Sequence, residues 1–159
     1  MKIYLLTHPR EIPKKTNTGR LAIDTCPTLC ERVVWERVNP DPRLQQLASE
    51  PTCALLYPAT EFPEDYADPV SVTDIETFVL LDATWQQARK MYNQSPYLQA
   101  MAKVSLDDAA DSQFTLRRNQ RQGGLCTVEC VIEVLQRKAR PEQALHLQQS
   151  FSLFSQALA

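Results

Sequence analysis

TFVLLDATWQQARKM, residues 77–91, changes its period halfway along. Thr77 to Leu81 is a continuous apolar and β-branched run, the pattern of a strand covered on both faces in a parallel sheet. Asp82 closes it. Thr84 and Gln87 then make the T-x-x-Q spacing of a capping box, so a helix starts directly after the strand. Strand, tight turn and capped helix form half of a βαβ unit, and the class they predict is α/β.

Similar runs lie on either side. IYLLT (3–7) and CALLY (53–57) read as buried strands, ERVVWER (31–37) as a fourth, and QFTLR (113–117) as a weaker fifth. Ser95-Pro96 reads as an N-cap with proline in the first helical turn. Leu125, Val128, Ile132 and Leu135 share one helical face, and Leu147, Phe151, Phe154 and Leu158 share another near the C-terminus. Residues 58–76, acidic and interrupted by Pro63 and Pro69, read as a loop. The expectation is one domain over 1–159, a mostly parallel sheet with flanking helices.

Composition narrows the function classes. The chain has 159 residues, 43% hydrophobic and 23% charged, which suits a globular core. Its 3 glycines, at 19, 123 and 124, cannot supply a GxGxxG dinucleotide loop. No apolar run is long enough to span a bilayer, and the N-terminal apolar stretch is too short for a signal peptide. A cytoplasmic location with no membrane partner follows as the expectation, and the 5 cysteines then read as reduced core residues. The net charge of −2 hides an uneven distribution: residues 1–43 carry 8 basic and 5 acidic side chains, residues 44–88 carry 8 acidic and none basic, and residues 89–121 carry 6 basic and 3 acidic. Arg10, Lys14, Lys15 and Arg20 form one basic cluster, and Arg117, Arg118 and Arg121 another. Either is a candidate for a phosphate backbone or an ordinary solvated surface.

Two segments carry candidate chemistry. Asp82 stands at the carboxyl end of a buried strand, where open α/β sheets place ligands. There it can bind an amine, accept a proton or support the turn, and Trp85 beside it is a ligand contact or a core aromatic. In RRNQRQGGLCTVE (117–129), paired glycines precede a helix whose free N–H groups suit an anion. Glu129 complements the helix dipole there, and Cys126 has no base in sight. CPTLCER (26–32) has the C-x5-R spacing of a phosphate-cradling loop but not its small residues, which reads as coincidence. No four-ligand zinc set suggests itself, so no metal is expected.

Taken together, HPREIPKKTNTGRLAIDTCP (8–27), LLYPA (55–59), LDATW (81–85) and LRRNQRQGGLCTVE (116–129) resemble, in order and spacing, the DTW-domain family over roughly residues 3–135. The resemblance implies a tRNA-uridine aminocarboxypropyltransferase, moving the 3-amino-3-carboxypropyl group of S-adenosylmethionine to the imide nitrogen of a uridine and releasing methylthioadenosine. It also implies a SPOUT-like fold with a C-terminal trefoil knot. Tyr57, Pro58, Ala59, Thr84, Trp85, Gly124, Leu125, Cys126, Thr127 and Glu129 would hold the donor. Asp82 would be the catalytic base or the partner of the donor's ammonium. His8, Arg10, Lys14, Lys15, Asn17, Thr18, Arg20, Arg117, Arg118 and Arg121 would contact RNA.

Two departures stand out. Many relatives carry a cysteine-rich segment ahead of the first motif, and this chain begins too late to include one. Ala83 also replaces a common glycine. Two other readings remain open: an RNA methyltransferase using the same donor, and a non-catalytic RNA-binding relative. The oligomeric state is not legible.

Overall fold

A computed structural model describes residues 1–58, 61–64, 66, 69–106 and 125–158. Five strands, β1 (Lys2–Thr7), β2 (Cys30–Val34), β3 (Cys53–Leu56), β4 (Thr77–Asp82) and β5 (Ala102–Val104), form one sheet in the order β2-β1-β4-β3-β5. Every pairing is parallel. Four strands fall where the apolar runs predict them, although β2 ends at Val34 and not at 37. The expected strand at 113–117 lies outside the described residues. The fifth strand of the sheet is Ala102–Val104, a stretch too short and too polar at Lys103 to be read as a strand.

Side chains alternate across the sheet, so each strand feeds two cores. Ile3, Leu5, Ala54, Phe78 and Leu80 pack with α1 (Gly19–Thr25), α5 (Thr127–Arg137) and α6 (Pro141–Leu158). Leu6, Val33, Leu55 and Val79 pack with α2 (Pro42–Leu47), α3 (Trp85–Asn93) and α4 (Pro96–Ala100) on the other face. The connection from β1 to β2 runs through α1 on the first face. Those from β2 to β3 and from β4 to β5 run the opposite way along the sheet, through helices on the second. Connections of a single hand require this arrangement.

The capping box behaves as the spacing predicts. Thr84 Oγ1 accepts from the Gln87 amide at 3.2 Å, and the Thr84 amide donates to Gln87 Oε1 at 2.8 Å. The helix predicted from Leu125 onward starts instead at Thr127, with Cys126 as its N-cap. Helices α1 and α2 are not foreshadowed by apolar spacing. The five cysteines are free, and four of them are buried.

Candidate functional site at the carboxyl edge of the sheet

Strands β1 and β4 are neighbours whose connections leave toward opposite edges of the sheet, which makes the gap between them the topological switch point. Thr7 and Asp82 face each other there in register. Both turn toward the α1 and α5 face, and both are buried, Asp82 at 2% exposure. The Thr7 hydroxyl donates to Asp82 Oδ2 at 3.1 Å, and Thr127 at the start of α5 donates to Oδ1 at 2.9 Å. Asn17 Nδ2 reaches both oxygens, at 3.0 and 3.1 Å. The Asn17 carbonyl oxygen accepts from the Arg20 amide and from Arg32 Nη2, at 3.2 and 2.8 Å. Acceptors on one side and donors on the other fix the orientation of that amide. Arg32 Nη2 lies 3.6 Å from Asp82 Oδ2 and completes an ion pair. A Cβ added at Gly19 would fall 2.5 Å from the same oxygen, so only glycine lets α1 start this close to the carboxylate.

On the other face, Tyr57 stacks on Tyr92 at 4.5 Å between ring centroids and lies tilted against Trp85 at 6.1 Å. Tyr57 is buried, Pro58, Thr84 and Trp85 are half-buried, and Ala83 is packed into the second core. At the start of α5, the Cys126 amide donates to Glu129 Oε1 at 3.1 Å, and the Val128 amide donates to Thr18 Oγ1 at 3.2 Å. Glu129 therefore caps its own helix, and two of the amides expected to meet an anion are already paired. Burial pushes the Cys126 thiol far above its ordinary range, which suits a core residue and not a nucleophile. Burial likewise raises Cys26, and the C-x5-R segment runs from α1 into β2, not from a strand into a helix. It makes no phosphate loop. Among the described residues no cluster of three His, Cys, Asp or Glu side chains is placed to hold a metal ion.

The residues expected to meet RNA divide in two. Arg10, Lys15 and Arg20 are exposed, and Lys14 pairs with Glu11 at 2.5 Å. His8 is half-buried, stacked on Trp35 at 5.9 Å, and holds the Arg10 amide on Nδ1. Burial, with Arg10 adding to it, lowers the basicity of His8. Asn17 and Thr18 face inward, at 3% and 4% exposure, committed to Asp82 and to α5. Their place is the carboxylate site and not a phosphate-gripping surface. Ala59, Gly124, Arg117, Arg118 and Arg121 lie outside the described residues.

Thr7, Gly19 and Arg32 belong to the site without having been read as such. A signal existed for Thr7, since it ends an apolar strand with a polar residue as Asp82 does. For Arg32 there was none, because its partners are 15 and 50 positions away in sequence.

A buried carboxylate at the switch point of a parallel sheet, met by segments from three separate parts of the chain, defines an α/β domain with a candidate site at the carboxyl edge of its sheet. The family model described as "DTW domain" matches residues 1–159, and the chain belongs to that family. It is 29% identical over 154 residues to tRNA-uridine aminocarboxypropyltransferase 2 of Drosophila melanogaster, covering 89% of this chain and 58% of the relative. The proteins of the same name in Macaca fascicularis and Mus musculus are 26% and 27% identical, with 84% of this chain and 46% of each relative covered. The chain thus spans about half the length of these curated relatives. No solved structure matches it.

Proposed function

We propose that this protein transfers the 3-amino-3-carboxypropyl group of S-adenosylmethionine to the imide nitrogen of a uridine in tRNA, releasing methylthioadenosine. The reading rests most on one observation. Asn17 and Gly19 of the first motif, Asp82 of D-x-T-W and Thr127 of the Leu-Cys-Thr segment, far apart in sequence, meet on a single carboxylate. The names of the relatives point the same way. The proposal includes one DTW domain over 1–159, a SPOUT-like fold with a C-terminal trefoil knot, a cytoplasmic location and no metal.

The residues present fit the donor. An aromatic pair, Tyr57 and Trp85, suits a purine, and Asp82 with Arg32 offers one charge of each sign to an amino acid. The proposal also carries Ala59, Gly124 and Leu125 as donor-binding residues. When bound, S-adenosylmethionine supplies an electrophilic carbon and a neutral thioether as leaving group. The protein's share is orientation and exclusion of water. Asp82 accepts from Thr7, Asn17 and Thr127, so a ligand hydrogen reaches it only after a donor turns away. Thr127 is half-buried and is the partner placed to do so. We assign Asp82 to the donor's ammonium in preference to the uridine proton, because Asp82 and Arg32 together offer the two opposite charges that an amino acid carries. Arg10, Lys15 and Arg20, with Arg117, Arg118 and Arg121, would contact RNA phosphates in a salt-sensitive way.

Incubation with S-adenosylmethionine and unmodified tRNA, followed by mass spectrometry of nucleosides and small products, tests the reading. Aminocarboxypropyl-uridine and methylthioadenosine should appear in equal amounts. S-adenosylhomocysteine in their place would mean methyl transfer, and absence of all three across a panel of tRNAs overturns the proposal.

A further inference from the structure

Among the described residues of the site, Arg32 is the charged side chain with a buried donor left over. Its Nη2 is engaged by Asn17 and lies beside Asp82, while its Nε is buried with no hydrogen-bond partner. A buried guanidinium N–H without an acceptor is costly, and its persistence calls for an explanation. Arg32 projects from β2 toward the α1 face, two strands along from β4. The side chain is 23% exposed, so it lies at the rim of the carboxylate site and not in the sealed core.

We infer that Arg32 is the specificity residue for the donor's carboxylate, its guanidinium turning the covered, unpartnered Nε–H out to receive that group while Asp82 faces the ammonium. This deepens the proposed function and rests on it. A guanidinium presents parallel N–H groups that match a carboxylate, which an ammonium side chain does not. An RNA phosphate is the poorer occupant. Arg32 lies 3.6 Å from an anion, so the local pair is close to neutral and suits a zwitterion better than a polyanion. The exposed cations Arg10, Lys15 and Arg20 are the better phosphate contacts.

Binding of S-adenosylmethionine and of its decarboxylated analogue, measured by calorimetry with the full chain, tests this without requiring RNA or turnover. The natural chain should prefer the carboxylated donor by about tenfold to hundredfold, the range for a charge-assisted bidentate contact. Arg32→Gln should lose that preference, binding both ligands within about twofold of each other. Should Arg32→Gln not fold, Arg32→Lys keeps a positive charge without the planar fork, and its preference should fall to less than about a third of the natural value. Undiminished preference in a folded Arg32→Gln or Arg32→Lys chain overturns the inference and leaves the function standing. Unchanged donor binding with a weaker, less salt-dependent affinity for tRNA overturns it in favour of a phosphate contact. Failure of the natural chain to bind S-adenosylmethionine at all overturns the function and the inference together.

Discussion

Asp82 is surrounded by donors: two hydroxyls, an amide and a guanidinium, with backbone within van der Waals reach at Gly19. Asp82→Asn therefore places an NH2 group against groups that are themselves donors. The expected cost is about 2–4 kcal/mol in urea unfolding, with loss of transfer, because a buried donor is left facing donors. Loss of transfer with unchanged stability would instead mark Asp82 as a simple proton acceptor. Gly19→Ala makes the same point from the other side. Helix propensity alone would favour alanine by about 1 kcal/mol. The new Cβ would nevertheless lie 2.5 Å from Oδ2, so the variant should be destabilised by about 1–3 kcal/mol and should bind S-adenosylmethionine more weakly. Equal or greater stability would mean that the carboxylate yields freely. Asp82 and Thr84, the cap of the helix that follows it, were legible because strand end, turn and cap are neighbours in sequence. Thr7 and Asn17 were not legible as its partners, since they stand 75 and 65 positions away, beyond any local periodicity.

Helix α3 turns this carboxylate site into a framework. Its first turn is fixed by the reciprocal Thr84 and Gln87 bonds, and its inner side carries Ala88, Met91 and Tyr92 into the second core. Thr84→Ala should cost about 1 kcal/mol, and a double-mutant cycle with Gln87→Ala should show coupling of about 0.5 kcal/mol or more. Additive effects would mean that the two bonds are independent. Elements with a strong internal pattern, such as β1, β4 and α3, could be read from the chain directly. Helix α2 carried a readable start in Asp41-Pro42, where Asp41 Oδ1 accepts from the Arg43 amide at 2.8 Å, but Leu44 is its only buried residue and no apolar face announces it. Helix α1 begins on glycine, and the Thr18 hydroxyl at its start is committed to α5 and not to its own helix. Strand β5 hid behind Lys103, whose placement makes sense only once α4 and the loop before β4 have closed over it.

That lysine has consequences for the entire domain. Lys103 is 1% exposed, and its ammonium donates to the carbonyls of Leu98, Gln99 and Met101, at 3.2, 3.0 and 2.7 Å, beneath the rings of Tyr66 and Tyr92. Burial lowers its pKa from 10.5 to about 8. Between these values the unfolded chain holds the proton that the folded chain has released, so stability rises with pH across that window. His8, a base also held below its ordinary value, acts in the same direction at lower pH, and Glu31 and Asp41, whose carboxyls are lowered by Arg43, do so in acid. The buried thiols oppose it. Burial raises Cys30 from 9.0 to about 12 and Cys53 from 9.0 to about 11, so above pH 9 the unfolded chain has lost protons that the folded chain keeps, and stability falls. Unfolding free energy should therefore peak between about pH 8 and pH 9; Lys103 alone contributes a rise of about 1 kcal/mol between pH 7 and pH 9, which the thiols offset as pH 9 is approached. Lys103→Met leaves three carbonyls without their donor and should be less stable, but its curve should lack that rise and begin its decline earlier. Urea unfolding at intervals from pH 6 to pH 10 checks both curves. A rise that survives in Lys103→Met would assign it to another group.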